Sequence, residues 1–278
     1  MRTRRVLLSS ASLFLAAAGT LWFVRRGTDH APSTEAARAR TRPKPAWVAR
    51  LTRPRLTAGP QVAPEPLRID RTVADNGGEA VQVVRLRAGQ VLARVNGTAI
   101  EFKDLVPEGP DGERAMDPEM FRFLLDRAID RELVLQAADA QDVSLPEEQE
   151  AQLAEMRASL AKDEPDVVRQ LTRTLEQIDF ELRDVAGLMV QAELLAKSGA
   201  SSNVTPAMVQ DYYEAHGSEF PPLPGDPGER QAAWQKIQVS IRQRLAPDVQ
   251  AGYQEAVRRY LEQLRSSAEI AQADLGPG

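Results

Sequence analysis

The chain contains no cysteine, so it can hold no disulfide, no thiolate metal site, no cysteine nucleophile and no lipoprotein anchor, each of which needs a thiol. That absence fits an oxidising compartment. Histidine is nearly absent as well, with only His30 and His216 in 278 residues, too few to build a histidine metal centre. No stretch has the order of a phosphate-binding loop: Asn76-Gly77-Gly78 and Gly109-Pro110-Asp111-Gly112 lack a following Lys-Ser or Lys-Thr and read as turns. Basic charge is scarce beyond the N-terminal quarter. Residues 72–278 hold 21 Lys or Arg against 36 Asp or Glu, and a net charge of −15 excludes non-specific nucleic-acid binding by that part.

What remains is rich in Ala, Leu, Glu, Gln and Arg, with only 5% aromatic residues, a composition that favours helix because these side chains lose little rotamer freedom there. The expected fold class is mainly α, a multi-helix domain with a small sheet, preceded by a membrane segment and a disordered stalk. Residues 1–26 supply the first of these. Arg2, Arg4 and Arg5 precede Val6–Val24, 19 residues without a charge, which can cross roughly 30 Å of hydrocarbon. Ala16 and Ala18 resemble a signal-peptidase site, but Leu21, Trp22, Phe23 and Val24 carry the apolar run past it. The segment therefore reads as a signal anchor, with a cleaved signal peptide as the alternative. Arg38, Arg40, Arg42 and Lys44 oppose export by the positive-inside rule, yet long soluble domains translocate largely regardless of such charges. Residues 27–78 carry Pro32, Pro43, Pro45, Pro54, Pro60, Pro64 and Pro66 with interleaved Arg and no amphipathic period, and read as a stalk.

The body, residues 79–278, opens with β signals at Val81, Val83 and Val84 and again at Val91 to Val95. Asn96-Gly97 then offers the pair of positive φ angles that a two-residue hairpin turn requires before Thr98 to Ile100. Asp117-Pro118 is a helix cap with proline at the first helical position, followed by an apolar face through Phe121, Leu124, Leu125, Ala128, Ile129 and Leu133. Ser144 with Glu147 forms a capping box for the next helix. A third segment from Asp163 carries Val168, Leu171, Leu175 and Ile178; a fourth carries Leu182 to Leu195 and ends at Gly199. Thr205-Pro206 begins a short helix through Tyr212 and Tyr213. Two last helices follow the Phe220-Pro221-Pro222 boundary, one with Trp234, Ile237, Ile241 and Leu245, the other with Val249, Tyr253, Tyr260 and Leu264. The final Ala268 to Ala271 is placed to pair with the early hairpin.

Several of these segments together resemble a known module. Val91 to Gly97 with Ile100, then Leu124 to Ala138, Val143-Ser144 with Glu147-Glu148, Val204-Thr205 with Val209, Tyr212-Tyr213-Glu214, Phe220 and a closing Leu264 to Ile270 are similar, in order and spacing, to the N-terminal chaperone domain of SurA-type and PrsA-type extracytoplasmic foldases. The resemblance spans roughly residues 90 to 271. It implies N-terminal helices packed with a C-terminal helix and strand, and a parvulin-type prolyl isomerase inserted after Phe220. Only Pro221 to Gly228 stands there, and no Gly-Gly-Asp-Leu stretch occurs. The resemblance thus implies a chaperone that has lost, or never held, its enzymatic domain.

Residue by residue, chemistry is thin. His216 lacks a second histidine or a convergent carboxylate set and reads as a helix-end residue beside Gly217. Asp126, Arg127, Asp130, Arg131 and Glu132 read as a solvated ion-pair network rather than an acid-base site. Met116, Met120, Met156, Met189 and Met208 read as core filler first and as an adaptable client surface second. Tyr212 and Tyr213 cannot both face the core from one helix; a half-exposed packing role is the default reading, with one of them available for contacts as the alternative. No residue receives a catalytic, metal or cofactor role, and client-contact residues stay unassigned. The expected function is ATP-independent binding of unfolded exported polypeptides in the cell envelope, at the inner membrane facing the periplasm, or in the periplasm if the leader is cleaved. A divergent prolyl isomerase and a dedicated subunit of an envelope complex are the alternatives.

Overall fold

The computed structural model describes residues 48, 51–52, 63–67, 69–72, 81–106, 113–162 and 175–275. Contacts within the backbone gather residues 44–278 into one unit, and the account that follows concerns it. The leader run Val6–Val24 lies outside the described residues, among which no helix is long and apolar enough to cross a membrane. Asn76 to Gly78 and Gly109 to Gly112 lie outside them too.

Among the described residues, six strands form two antiparallel three-stranded sheets: β1 (Ile69–Thr72), β2 (Val81–Arg87) and β5 (Glu113–Met116) in the order β1-β2-β5, and β3 (Val91–Val95), β4 (Thr98–Glu101) and β6 (Ile270–Gln272) in the order β4-β3-β6. The hairpin turn is the expected one, with Asn96 at φ 48° and Gly97 at φ 85° and Val95 paired to Thr98. Two consecutive residues of β3, Leu92 and Ala93, are buried, which strict alternation forbids. A shift of register between Val91 and Ala93 in the pairing with β4 accounts for it.

The last strand pairs with the hairpin as the sequence suggests, Val95 opposite Ile270 and Ala93 opposite Gln272. The second sheet is a departure. Its outer strand β1 falls inside residues 27–78, where proline and arginine hide any period. Leu67, a few residues earlier, is 2% exposed and its N–H donates to the Asp274 carbonyl at 2.9 Å. Val48 and Leu51 are buried helical residues in the same stretch. The folded unit thus starts upstream of residue 79, on isolated apolar anchors rather than on a periodic pattern.

The helices are α1 (Pro118–Ala140), α2 (Glu147–Lys162), α3 (Leu175–Lys197), α4 (Pro206–His216) and α5 (Pro227–Ser267). Asp117 caps α1 by accepting from the Glu119 and Met120 N–H groups, and Thr205 caps α4 by accepting from Met208 N–H. α2 starts later than the proposed Ser144 capping box: Glu150 N–H donates to the Pro146 carbonyl, so Pro146 holds the cap position. Ile178 belongs to the same helix as Leu182, which merges the expected fourth helix with the end of the third; residues 163–174 lie outside the described residues. α3 ends at Gly199, whose φ of 86° is the left-handed conformation glycine adopts at helix ends.

α1 is buried on two sides. Phe121, Leu125, Ala128, Ile129 and Leu133 pack with Val84, Leu86, Leu92 and Val95 of the sheets and with Phe102 of the 3-10 turn after β4. Val134, Leu135 and Ala138 pack with Leu153 of α2 and with Ile178, Leu182, Met189 and Leu194 of α3. A third, smaller core joins Val209 of α4 to Ile237 and Ile241 at the front of α5.

The two expected final helices are one. α5 runs 41 residues with Pro247 inside it, about 60 Å at 1.5 Å per residue. Pro247 removes the donor that would reach Gln243, but Ala246, Pro247 and Asp248 are exposed, so water can satisfy the freed carbonyl and the helix continues. Interior proline costs about 3 kcal/mol relative to alanine in a helix. Pro247→Ala is therefore expected to stabilise the protein by about 1–3 kcal/mol in urea unfolding and to slow amide exchange near residue 247; a loss of stability would show that α5 packs around a proline-bent axis.

Candidate functional site

Three helical stripes converge on a cleft. α1 presents Phe123, Asp126, Arg127, Asp130, Arg131 and Val134, spaced so that one face carries them all. α3 presents Asp184, Gly187, Leu188 and Gln191, the i, i+3, i+4, i+7 pattern of a single face, and α5 presents Val257 and Leu261, one turn apart. The cleft holds about 340 Å³. Phe123 and Leu188 are 61% and 58% exposed, large apolar side chains kept in water on the two facing helices.

The charged walls are neutralised across helices, not along one as the sequence reading had it. Asp184 of α3 accepts from Arg131 at 2.6 Å and pairs with Arg127 at 2.8 Å. Arg265 of α5 donates through Nε to Asp130 at 2.6 Å and pairs with Asp126 at 3.2 Å. The Asp130 carboxylate, then the Asp126 carboxylate, raise the Arg265 pKa above its ordinary value against the opposing effect of burial. Glu132 accepts instead from Gln136, which also donates to the Val95 carbonyl and so ties α1 to the hairpin.

Beneath the cleft lies a junction that the sequence did not announce. Asp104, 6% exposed, sits in the 3-10 turn after β4 and accepts from Arg183 of α3 at 2.9 Å and from Glu101 N–H at 2.9 Å. Its backbone carbonyl accepts from Arg131 at 3.2 Å. Sheet, α1 and α3 thus meet at one carboxylate-bearing residue. Gly187 keeps α1 and α3 close, since a Cβ there would come within 3.0 Å of Arg131 Cγ. Asp104→Ala leaves Arg183 without this partner in a largely buried site. A loss of about 2–4 kcal/mol is expected in urea unfolding, with Asp104→Asn intermediate.

A second cluster lies on α4 and the front of α5. Tyr212 stacks on His216 at 4.3 Å, Tyr213 meets Trp234 edge to face at 4.9 Å, and both tyrosines contact Phe220. The expected half-exposed packing role is what both tyrosines show: each is half-buried, because Phe220 folds back over the helix end and offers each a ring. His216 Nδ1 lies 2.9 Å from Glu219, whose other oxygen accepts from Arg244 at 2.7 Å. Arg244, then His216, hold the Glu219 carboxyl below its ordinary range. A depressed folded pKa means that this contribution is present above the unfolded value and is lost as pH falls through the folded one. Glu219→Gln is expected to lower stability modestly near neutral pH and to change it little in acid, so that the acid dependence of unfolding on that side weakens, as acid unfolding curves of the two proteins would show.

Among the methionines, Met189 is buried, Met116 and Met156 are half-buried, and Met120 and Met208 are exposed. Only the last two could serve a surface. Among the described residues no cluster of His, Asp or Glu is arranged to hold a metal ion. The cleft residues left a faint trace in the sequence: Phe123 falls off the apolar face of α1, and Gln191, with Glu193, interrupts the apolar run Leu188 to Leu195. Comparisons of this chain with protein-family models, with curated proteins and with solved structures find no match.

Proposed function

We propose that this protein is an ATP-independent chaperone that holds unfolded or partly folded exported polypeptides in the cleft between α1, α3 and α5. The observation that carries the reading is the exposure of Phe123 and Leu188 on facing helices of an open, mixed-polarity cleft. Burying such a side chain against a client is worth about 1.5–3 kcal/mol, enough for reversible capture and too little for a permanent complex. The pairing of the early hairpin with the last strand, and the packing of the long C-terminal helix on α1, support the likeness to SurA-type and PrsA-type modules.

The apolar run Val6–Val24 would tether the protein to the inner membrane with its body in the periplasm, raising the local chaperone concentration where chains emerge. A cleaved leader would leave the same body free in the periplasm. Six residues, Pro221 to Asp226, join Phe220 to α5, closed by Arg230 donating to the Pro224 and Gly225 carbonyls. That is where the SurA-type and PrsA-type foldases that the chain resembles carry an isomerase, and acceleration of a proline-limited refolding step would be the mark of the enzymatic alternative.

The full chain, purified in mild detergent with detergent alone as control, is expected to suppress light scattering by several unfolded envelope proteins and to ignore their folded forms. Phe123→Ser combined with Leu188→Ser should abolish most of that suppression without lowering stability, since both side chains are exposed. No suppression at stoichiometric excess, with one stoichiometric partner recovered from membranes, would replace the general chaperone by a dedicated subunit.

A further inference from the structure

The hairpin turn carries a reactive pair whose restraint comes from the far end of the chain. Asn96 is exposed, with φ 48°, and Gly97 follows it at φ 85°. An asparagine before glycine is open to attack by the next backbone nitrogen, because glycine has no Cβ to obstruct the approach and a freely rotating backbone to make it. Here the amide is held at both ends. Its Oδ1 accepts from Glu269 N–H at 2.9 Å, at the entry to β6, and its Nδ2 donates to Gln136 of α1 at 2.8 Å. Gln136 is fixed in turn by donating to the Val95 carbonyl, the Thr98 hydroxyl and Glu132. An amide tied in two directions is kept from turning onto the Gly97 nitrogen, and the tie to Glu269 exists only while β6 is paired with β3.

We infer that Asn96 is a self-modification site guarded by the last strand. When β6 leaves the sheet, the Gly97 nitrogen attacks Asn96 Cγ. The new C–N bond closes a succinimide ring, the Cγ–Nδ2 bond breaks, and Nδ2 leaves as ammonia with the Gly97 amide proton. Water then opens the ring at either carbonyl, its hydroxyl going to the carbon and its proton to the ring nitrogen, and yields aspartate or isoaspartate. Water is the sole co-reactant, and nothing is oxidised or reduced. Either product alters the clamp. A carboxylate oxygen replaces the Nδ2 donor and meets Gln136 Oε1, so two acceptors face each other with no proton between them. Turning the Gln136 amide round would forfeit its bonds to Val95, Thr98 and Glu132. Isoaspartate also routes the main chain through the side-chain carbons, lengthening the two-residue turn that sets Val95 opposite Thr98. Opening of the sheet is thereby converted into a covalent record at its own hinge-point, whatever the cleft holds.

The test incubates the full chain in mild detergent, folded and in concentrated urea, at mildly alkaline pH. After acid quenching and tryptic digestion, the peptide Val95–Lys103 is followed by mass spectrometry for replacement of the amide by an acid. Conversion is expected to be about ten-fold or more faster in urea, since release of a packed strand is a minor population of the folded protein. Ala271→Pro, which places a residue without an N–H in the middle of β6, and Gln136→Ala should each raise the folded-state rate by about three-fold or more. Amide exchange at residues 270–272 should be faster in the modified protein than in the unmodified. Equal conversion folded and in urea, or none in either, would overturn the inference. So would folded-state rates in both variants no higher than in the unaltered protein. Should a variant fail to fold, the exchange comparison decides, because equal exchange in modified and unmodified protein would show that Asn96 and β6 are not coupled.

Discussion

Everything else in the folded unit hangs on the return of the C-terminal strand to the first hairpin. β6 enters beside β3, Ala273 N–H donates to the Leu92 carbonyl, and the chain continues far enough for Asp274 to receive Leu67. Asn96 at the hairpin turn donates to the Glu269 carbonyl and accepts from Glu269 N–H, so the turn itself clamps the entry of the strand. Residues more than 170 apart in sequence are thereby fixed side by side. The loop-closure entropy of that pairing grows only slowly with length, which makes so distant a contact affordable once the apolar layer beneath it forms. The consequence is geometric: with its end anchored in the sheet, the back of α5 must lie along α1, and Val257 and Leu261 become the third wall of a cleft that α1 and α3 alone would leave open.

Electrostatics then sets how the cleft behaves. Each wall charge has a partner on another helix, so the pairs hold α1, α3 and α5 in place and at the same time withdraw their charges from recognition. Exposed pairs of this kind contribute little individually. Asp104 is the exception, because it is enclosed and anchors Arg183 while its own carbonyl engages Arg131. Asp104, the buried carboxylate among the described residues, thus fixes the floor, while Phe123 and Leu188 stand exposed at the cleft.

Local chemistry was what the sequence made legible. Asn96-Gly97, Asp117-Pro118, Thr205-Pro206 and Gly199 each state a backbone requirement within a few residues, and each was read correctly. The terminal strand was legible because β-compatible residues close the chain after a helix. β1 and the anchors Val48, Leu51 and Leu67 were not, since their burial depends on partners far away and no period marks them. α5 was read as two helices because Pro247 is a strong local breaker; tertiary packing on both sides of it, Leu245 on one and Tyr260 and Leu261 on the other, overrode that preference. For the cleft, the Asp and Arg residues of α1 were noticed but assigned to one helix, because the identity of the facing helix face, Asp184 to Gln191, cannot be read from periodicity alone.

The layout of α5 completes the functional argument. Its front half packs with α4 into the aromatic core, its back half packs with α1 and α3, and the stretch between them, Ala246 to Gly252, is largely exposed and holds both a proline and a glycine. A helix at such a stretch has fewer supporting contacts and one fewer backbone hydrogen bond, so bending is concentrated there. A holder of unfolded chains without nucleotide has no external energy to drive release, so its grip must be weak per contact and its shape accommodating. Under the proposed holding function, a cleft braced by paired charges beside an aromatic core on the front of α5, with Pro247 in an exposed stretch between them, is an arrangement that suits both conditions.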